Sequence, residues 1–190
     1  MIQLLMLGDS LVEWGDWSKH LPGVAVINRG IAGEMTEDLS ARLMDEIEDC
    51  PDPDAVLIQS GTNNLLMGYM FFPAIFTTMM QRLRLCYPQT PLILCSLTPM
   101  PIVPAQDIEQ VNRELAQVAA HLENCTFLDL VGPFTEQCLP ITHPGFLNDN
   151  VHLSTRGYQV WADAISRCLH ALCPESPQVD RTEPDSYKSR

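Results

Sequence analysis

Basic residues are scarce in this chain. Its 190 residues include 24 acidic side chains but only 11 lysines and arginines, two of them lysines, which gives a formal net charge of −13 at pH 7. Proteins that bind nucleic acid need clustered cations to neutralise phosphates. The shortage therefore argues against nucleic-acid binding, and the excess of acid favours solubility and weakly repels anionic surfaces.

Long apolar runs and paired-cysteine motifs are also missing. The longest apolar stretches are too short to span a bilayer. The amino-terminal run follows no basic segment and is shorter than the core of a signal peptide. The seven cysteines are an odd number without a CxxC pair, and most lie in or beside apolar segments. We therefore predict reduced, mostly buried cysteines, no integral membrane segment and a cytoplasmic location.

The remaining composition is typical of one soluble domain. Hydrophobic residues make up 46% of the chain and charged residues 18%, and the length suffices for a full core without metal or disulfide. The last segment, residues 174–190, is polar, contains prolines and has no periodicity. We predict a domain over residues 1–173 and a flexible tail over 174–190.

Short apolar runs and amphipathic segments alternate along the predicted domain. The runs predicted as buried parallel strands are 2–7, 24–28, 55–59, 92–96 and 126–130. Helical periodicity marks residues 36–49, 73–87, 107–122 and 154–172. This alternation predicts an α/β chain with a three-layer α/β/α fold and a five-stranded parallel sheet in the order 2-1-3-4-5.

Polar motifs stand where these strands end, at the edge of the sheet where ligands bind in open parallel folds. The motifs are GDS at 8–10, NRGIAG at 28–33, GTNN at 61–64 and LTPMP at 97–101, and DNVH at 149–152 precedes the last helix. A nucleophilic serine requires a base, an acid that orients the base, and donors for an oxyanion. The motifs contain a candidate for each.

Ser10, His152 and Asp149 are the candidates for nucleophile, base and acid. The three-residue spacing of Asp149 and His152 lets a carboxylate reach one imidazole nitrogen while the other faces Ser10. Ser10 can also aim its backbone N–H at the site, Gly30 can bring a second N–H close because it has no side chain, and Asn63 can donate from its amide. We therefore predict an oxyanion hole formed by Ser10, Gly30 and Asn63.

Simpler interpretations exist for some of these residues. A serine after a strand is often only a helix N-cap. Asp9 is adjacent to Ser10 and is a rival catalytic acid, but successive residues of a turn point in different directions, so we assign it to fixing the loop. Arg29 either contacts substrate or pairs with neighbouring acids. Gly33 is interpreted as the residue that leads into the next helix.

Two other classes of site are also compatible with the motifs. His143, Asp149 and His152 form a two-histidine, one-carboxylate pattern, but the serine already requires two of them, so we predict no metal and no cofactor. Gly30 and Gly33 next to a helix N-terminus would suit an anion in a flavodoxin-like binding module. Against such a module, the sequence contains neither a phosphate-binding P-loop nor GxGxxG.

An apolar segment, residues 65–72, follows the GTNN motif directly. It either packs in the core or forms a wall for the acyl or alcohol group of a substrate. Residues after the fourth strand could form the facing wall, and 139–146 could close the third side. The predicted substrate contacts are Asn64, Leu65, Met67 and Met100.

In this order, four of the motifs resemble the sequence blocks of the SGNH, or GDSL-type, esterase and lipase family. The blocks are GDSL at 8–11, NRGIAG at 28–33, GTNN at 61–64 and DNVHLSTRGY at 149–158. They are similar in particular to the branch that contains the catalytic subunits of intracellular platelet-activating-factor acetylhydrolase. The resemblance implies a flavodoxin-like hydrolase with Ser10, Gly30, Asn63 and His152 as signature residues and Asp149 completing the triad. Asn64 departs from the pattern, because many members carry an acid there.

The predicted function is a serine hydrolase that cleaves carboxylic esters of small to medium acyl groups through an acyl-serine intermediate. The same machinery would serve a thioesterase or a lysophospholipase. The sequence contains no GxSxG motif, which argues against the nucleophile-elbow hydrolases. The expected partner is a small-molecule ester, and the oligomeric state is left open.

Overall fold

The predicted strands form a five-stranded parallel sheet in the order β2-β1-β3-β4-β5, which confirms the predicted topology. The computed structural model describes residues 1–139 and 144–173. Its strands are β1 (Ile2–Gly8), β2 (Val24–Gly30), β3 (Ala55–Gln59), β4 (Leu92–Cys95) and β5 (Cys125–Leu128). Since β1 lies between β2 and β3, the turn that follows β1 stands between the carboxyl ends of those two strands.

Four long helices correspond to the four segments with helical periodicity. They are α3 (Thr36–Asp49), α5 (Pro73–Cys86), α6 (Ala105–Ala120) and α8 (Thr155–Leu172). The sequence pattern did not predict four shorter helices, because they are too brief for a 3.6-residue period to be recognised. These are α1 (Ser10–Glu13), α2 (Trp17–His20), α4 (Thr62–Leu66) and α7 (Val131–Gln137).

Both faces of the sheet are covered by apolar side chains. Successive residues of a strand point to opposite faces, so Leu5 and Leu7 of β1 pack with α3, α5 and α6, whereas Leu4 and Met6 pack with α1, α2, α7 and α8. Burying these side chains is the main stabilising contribution to such a fold. The result is the three-layer α/β/α arrangement, with the strand ends left for polar residues.

Some sequence predictions fall outside the described residues. They are the predicted tail, 174–190, and residues 140–143, which include His143 and belong to the 139–146 segment. Within residues 1–139 and 144–173, no helix is both long enough and apolar enough to cross a membrane.

Candidate active site

Ser10 is the first residue of α1 and lies directly beyond the end of β1. Asp9 caps this helix: its backbone is extended, and its Oδ1 accepts the N–H of Leu11 at 3.0 Å. The interpretation of Ser10 as the N-cap is therefore wrong, and Asp9 fixes the turn as predicted. Because the adjacent residue does the capping, the Ser10 hydroxyl is available for another partner.

A continuous chain of hydrogen bonds joins Ser10, His152 and Asp149. Ser10 Oγ lies 3.0 Å from His152 Nε2, and His152 Nδ1 lies 2.7 Å from Asp149 Oδ2. With a proton on Nδ1 donated to the carboxylate, Nε2 is left to accept the serine hydroxyl. The fold thus brings together three side chains from opposite ends of the chain.

Asp149 is held by the backbone of its own turn. Its Oδ1 accepts the N–H of Val151 at 3.0 Å and that of His152 at 2.9 Å. These hydrogen bonds, first of all the one from Val151, lower the pKa of Asp149 from 3.8 to about 2. The side chain is consequently a carboxylate at neutral pH, which is the state that orients an imidazolium.

Asp9 lies in the opposite environment. It is fully buried, and burial raises the pKa of its carboxyl from 3.8 to about 6. Its partner within the turn is the Leu11 N–H rather than an imidazole nitrogen. Asp149, not Asp9, is therefore the acid that contacts His152.

The geometry corrects one of the predicted oxyanion donors. The N–H of Gly30 donates to Asn28 Oδ1 at 3.0 Å, so it is not free for a substrate. Gly30 is needed for close packing, because a Cβ at this position would lie 2.2 Å from the backbone nitrogen of Glu13. Ser10 and Gly33, by contrast, have backbone N–H groups with no acceptor among the described residues. Gly33 lies in an open part of the loop, with φ +81°.

Asn63 ties its own loop to the loop that contains Gly33. One N–H of its amide donates to the carbonyl oxygen of Glu34 at 2.8 Å, which leaves the second N–H of the same nitrogen for another acceptor. Glu34 is itself held by Arg42, whose Nε donates to Oε1 at 2.8 Å. Arg42 also donates to the carbonyl oxygen of Arg29 at 2.9 Å.

Arg42 is a supporting residue that the sequence analysis missed. Its guanidinium joins α3 to the ends of β1 and β2 and to the Glu34 loop. The signal in the sequence was weak: Arg42 is the single cation in the otherwise acidic segment 36–49. The contacts could not be read from that segment, because each partner lies in a different motif.

Asn64 and Leu65 do not reach an open site. Asn64 is fully buried, where its Oδ1 accepts the N–H of Thr36 at 2.9 Å and its Nδ2 donates to Glu37 at 2.7 Å. Leu65 packs in the core beside α3 and α5. Burial therefore removes both residues from direct contact with a substrate, and Asn64 instead joins α4 to the start of α3.

The two predicted methionine contacts differ in exposure. Met67 follows α4 and is 63% exposed. Met100 is buried but borders a cavity of about 550 Å³ beyond the ends of β4 and β5, whose other walls include Val103, Ile108 and Leu139. Both methionines remain candidates for contact with an apolar part of a substrate.

The structure also bears on the alternative sites. Arg29 pairs with Glu46 at 3.2 Å and with Asp49 at 3.3 Å, so it contacts neighbouring acids. Among the described residues, no group of three or more histidine, cysteine or acidic side chains is arranged to hold a metal ion. The two-histidine pattern includes His143, which lies outside the described residues, so the distances within that pattern are not given by the structure.

Comparison with known proteins shows which family the chain belongs to. The sequence pattern of the GDSL-like lipase/acylhydrolase family matches residues 6–160, a span that includes Ser10, Asn63, Asp149 and His152. The chain belongs to this family. Members of this family are lipases and acylhydrolases, and the chain is accordingly a carboxylic-ester hydrolase rather than a binding module.

One relative is similar to this GDSL-like protein over most of its sequence, and two solved structures have a similar fold. Subunit alpha2 of platelet-activating factor acetylhydrolase IB from Homo sapiens is 26% identical over 188 residues, covering 94% of this chain and 81% of the relative. An acetylxylan esterase from Geobacillus stearothermophilus has a TM-score of 0.70 at 22% identity, over 87% of this chain and 93% of that one. A lipase/acylhydrolase from Enterococcus faecalis has a TM-score of 0.69 at 24% identity, over 90% and 96%.

Proposed function

We propose that this GDSL-like protein hydrolyses carboxylic esters through an acyl-enzyme formed on Ser10. The observation that carries the proposal is the hydrogen-bonded chain from Asp149 through His152 to Ser10, with distances of 2.7 Å and 3.0 Å. A hydroxyl is a weak nucleophile by itself, and a base within hydrogen-bond reach activates it. In this hydrogen-bonded series, His152 is the base and Asp149 is the acid that orients it.

In the first half-reaction, Ser10 Oγ attacks the ester carbonyl carbon while His152 Nε2 takes the hydroxyl proton. The resulting imidazolium is stabilised by the Asp149 carboxylate at Nδ1. When the tetrahedral intermediate collapses, the carbon–oxygen bond to the alcohol breaks and His152 returns its proton to the leaving oxygen. The products of this step are the free alcohol and acyl-Ser10.

In the second half-reaction, His152 removes a proton from water and the hydroxide oxygen attacks the acyl carbon. The bond from that carbon to Ser10 Oγ then breaks, and His152 protonates the serine oxygen. Water is consumed, the carboxylic acid is released and the enzyme returns to its starting state. With the ester and this water as the reactants, His152 carries every proton that is transferred, and the protons balance.

The oxyanion of each tetrahedral intermediate requires preorganised donors. We assign them to the Ser10 N–H, the second N–H of the Asn63 amide and the Gly33 N–H, with Gly33 replacing Gly30. The support is that the Gly30 N–H is taken by Asn28, whereas Asn63 holds the carbonyl of Glu34, the residue next to Gly33. Preorganisation comes from the Arg42 contacts described above.

For the substrate we propose esters of small to medium acyl groups. The named activities of two relatives, a platelet-activating factor acetylhydrolase and an acetylxylan esterase, concern acetyl groups. The exposed Met67 and the apolar cavity beside Met100 provide surface that a longer chain could contact. Acetyl to medium-length chains are therefore the range to test.

The first experiment measures initial rates on p-nitrophenyl esters from acetyl to dodecanoyl. Ser10→Ala is expected to remove turnover, because no hydroxyl remains to be acylated. Ser18→Ala is the matched control, since Ser18 is an exposed serine of α2 whose hydroxyl donates to Asp16. Loss of activity in both variants, or full activity in Ser10→Ala, would contradict the proposal.

Covalent labelling tests the acyl-serine intermediate independently of the ester used. An alkyl fluorophosphonate should label wild type and Ser18→Ala on one serine, identified by peptide mass spectrometry as Ser10, and should leave Ser10→Ala unlabelled. Rates on matched thioesters and lysophospholipids then decide between an esterase, a thioesterase and a lysophospholipase. A wild type that is labelled elsewhere would remove Ser10 from the mechanism.

A further inference from the structure

An exposed tryptophan lies flat against the imidazole of His152. The ring centroids of Trp14 and His152 are 4.2 Å apart, and the ring planes are 27° from parallel. The Trp14 side chain is nevertheless 52% exposed. A large apolar ring in that position covers one face of His152 and leaves much of its own surface open to solvent.

Trp14 is attached to the same helix as the candidate nucleophile. It is the C-cap of α1, and its backbone N–H donates to the carbonyl oxygen of Ser10 at 3.0 Å. One helical turn therefore separates the serine from the tryptophan, and His152 contacts both. Ser10 at the start of α1 and Trp14 at its C-cap define two sides of the space that the imidazole occupies.

The contacts of the imidazole account for most of its orientation. Nδ1 is bound to Asp149 and Nε2 to Ser10, and these two in-plane bonds fix the ring along one axis. Rotation about that axis is limited by packing on the ring faces, and Trp14 packs against one of them. The remaining exposure of the His152 side chain is 23%.

We propose that Trp14 is a positioning residue for His152: its ring holds the imidazole between Asp149 and Ser10 and stabilises the imidazolium that forms during acyl transfer. This inference rests on the proposed function, because it requires His152 to be the base. The face of an indole carries negative potential and attracts a cation placed over it. Neutral imidazole gains less from the same contact, so the stabilisation is larger in the transition state than in the ground state.

This difference predicts which kinetic constant changes. Trp14→Leu keeps an apolar side chain but removes the aromatic face, and it should lower kcat roughly tenfold, within the range expected for a partly solvated cation–π contact. KM should change by less than about twofold, since the contact is made with an enzyme group. Trp14→Phe should recover most of the lost rate, and Leu85→Ala, which alters an exposed apolar side chain of α5, should match wild type.

Ester kinetics of the purified 190-residue chain, thermal unfolding and histidine NMR form the test. In wild type the tryptophan ring current should shift the His152 ring protons upfield, and Trp14→Leu should lose that shift while keeping the unfolding midpoint. A Leu variant as fast as wild type, or a Phe variant as slow as the Leu variant, would overturn the inference. If Ser10→Ala retains wild-type turnover, the proposed function itself fails, which is a separate result.

Discussion

Asp9 and Ser10 are adjacent in the chain, but their side chains bind different partners. Asp9 Oδ1 caps α1 through the Leu11 N–H at 3.0 Å, and Ser10 Oγ meets His152 at 3.0 Å. Capping by Asp9 explains how the helix can begin at Ser10 without using the serine hydroxyl. The two carboxyls near this serine also differ, since Asp9 is buried and Asp149 is partly exposed.

The raised pKa of Asp9 predicts a pH dependence of stability. With a pKa of 3.8 in the unfolded chain and about 6 in the folded one, the folded state binds more protons between these values. The stabilising contribution is therefore complete below 3.8 and is lost as the pH rises through about 6. Relative to Asp9→Asn, the free energy of unfolding of wild type should fall by on the order of 3 kcal/mol between pH 4 and pH 7.

Urea denaturation at a series of pH values measures this difference. Asn at position 9 keeps an oxygen to accept the Leu11 N–H, so the cap is retained. Asp149 acts in a different window, because its stabilising contribution is present above 3.8 and is lost as the pH falls through about 2. Parallel stability curves for wild type and Asp9→Asn above pH 4 would contradict the prediction.

Asn63→Ala is expected to lower kcat by on the order of a hundredfold to a thousandfold, which is typical for the loss of one oxyanion donor. KM should change little, because the oxyanion exists only after attack. The variant also loses the hydrogen bond to the Glu34 carbonyl, so its unfolding midpoint must be measured alongside the ester kinetics. Unchanged kcat would remove Asn63 from the mechanism.

At the scale of elements, the close approach of β2 to α1 sets the position of the serine turn. A Cβ on Gly30 would lie 2.2 Å from the Glu13 nitrogen and 2.7 Å from its Cα. These are backbone atoms, which cannot rotate away as a flexible side chain can. Gly30, the first glycine of the NRGIAG motif, thus allows β2 and α1 to pack in direct contact.

Gly30→Ala should destabilise the fold by about 1–3 kcal/mol, the usual cost of forcing extra volume into a packed region. Ester hydrolysis should fall as well, because α1 must move and Ser10 moves with it. Gly132→Ala is the matched control, since a Cβ at Gly132 in α7 meets no atom within 4 Å. Equal unfolding free energies for Gly30→Ala and Gly132→Ala in urea would show that β2 and α1 are not in close contact.

For the whole molecule, the excess of acidic over basic residues acts over long distances. The net charge of −13 makes like charges repel in the compact state more than in the expanded one. Salt screens this repulsion, since the Debye length falls from about 30 Å at 0.01 M to about 8 Å at 0.15 M ionic strength. The cytoplasmic location and the lack of a cofactor stay predictions of the sequence.

The thermal unfolding midpoint at pH 7 should therefore rise as sodium chloride increases from 0.01 M to about 0.15 M, with most of the rise complete by that concentration. Equal molar amounts of sucrose, which does not screen charge, serve as the control over the same range. A midpoint that falls with added salt would mean that attractive ion pairs, such as Arg42 with Glu34, outweigh the net repulsion.

The sequence by itself determined the order of the five strands and the four long helices, the sheet topology and the three side chains of the hydrogen-bonded series Ser10–His152–Asp149. Apolar runs and helical periods are local properties, and right-handed crossovers leave few ways to connect them. Ser10 follows a strand, and Asp149 lies three residues before His152, so these positions could be inferred without knowing distant contacts.

Tertiary structure alone decided how the surrounding groups are used. The Gly30 N–H is bound to Asn28, Asn64 is buried against α3, and Trp14 stacks on His152. Each outcome depends on the direction of a side chain or an N–H group after distant segments have packed. Sequence spacing specifies which element a residue belongs to, but the partner it meets is set by the packing of the layers.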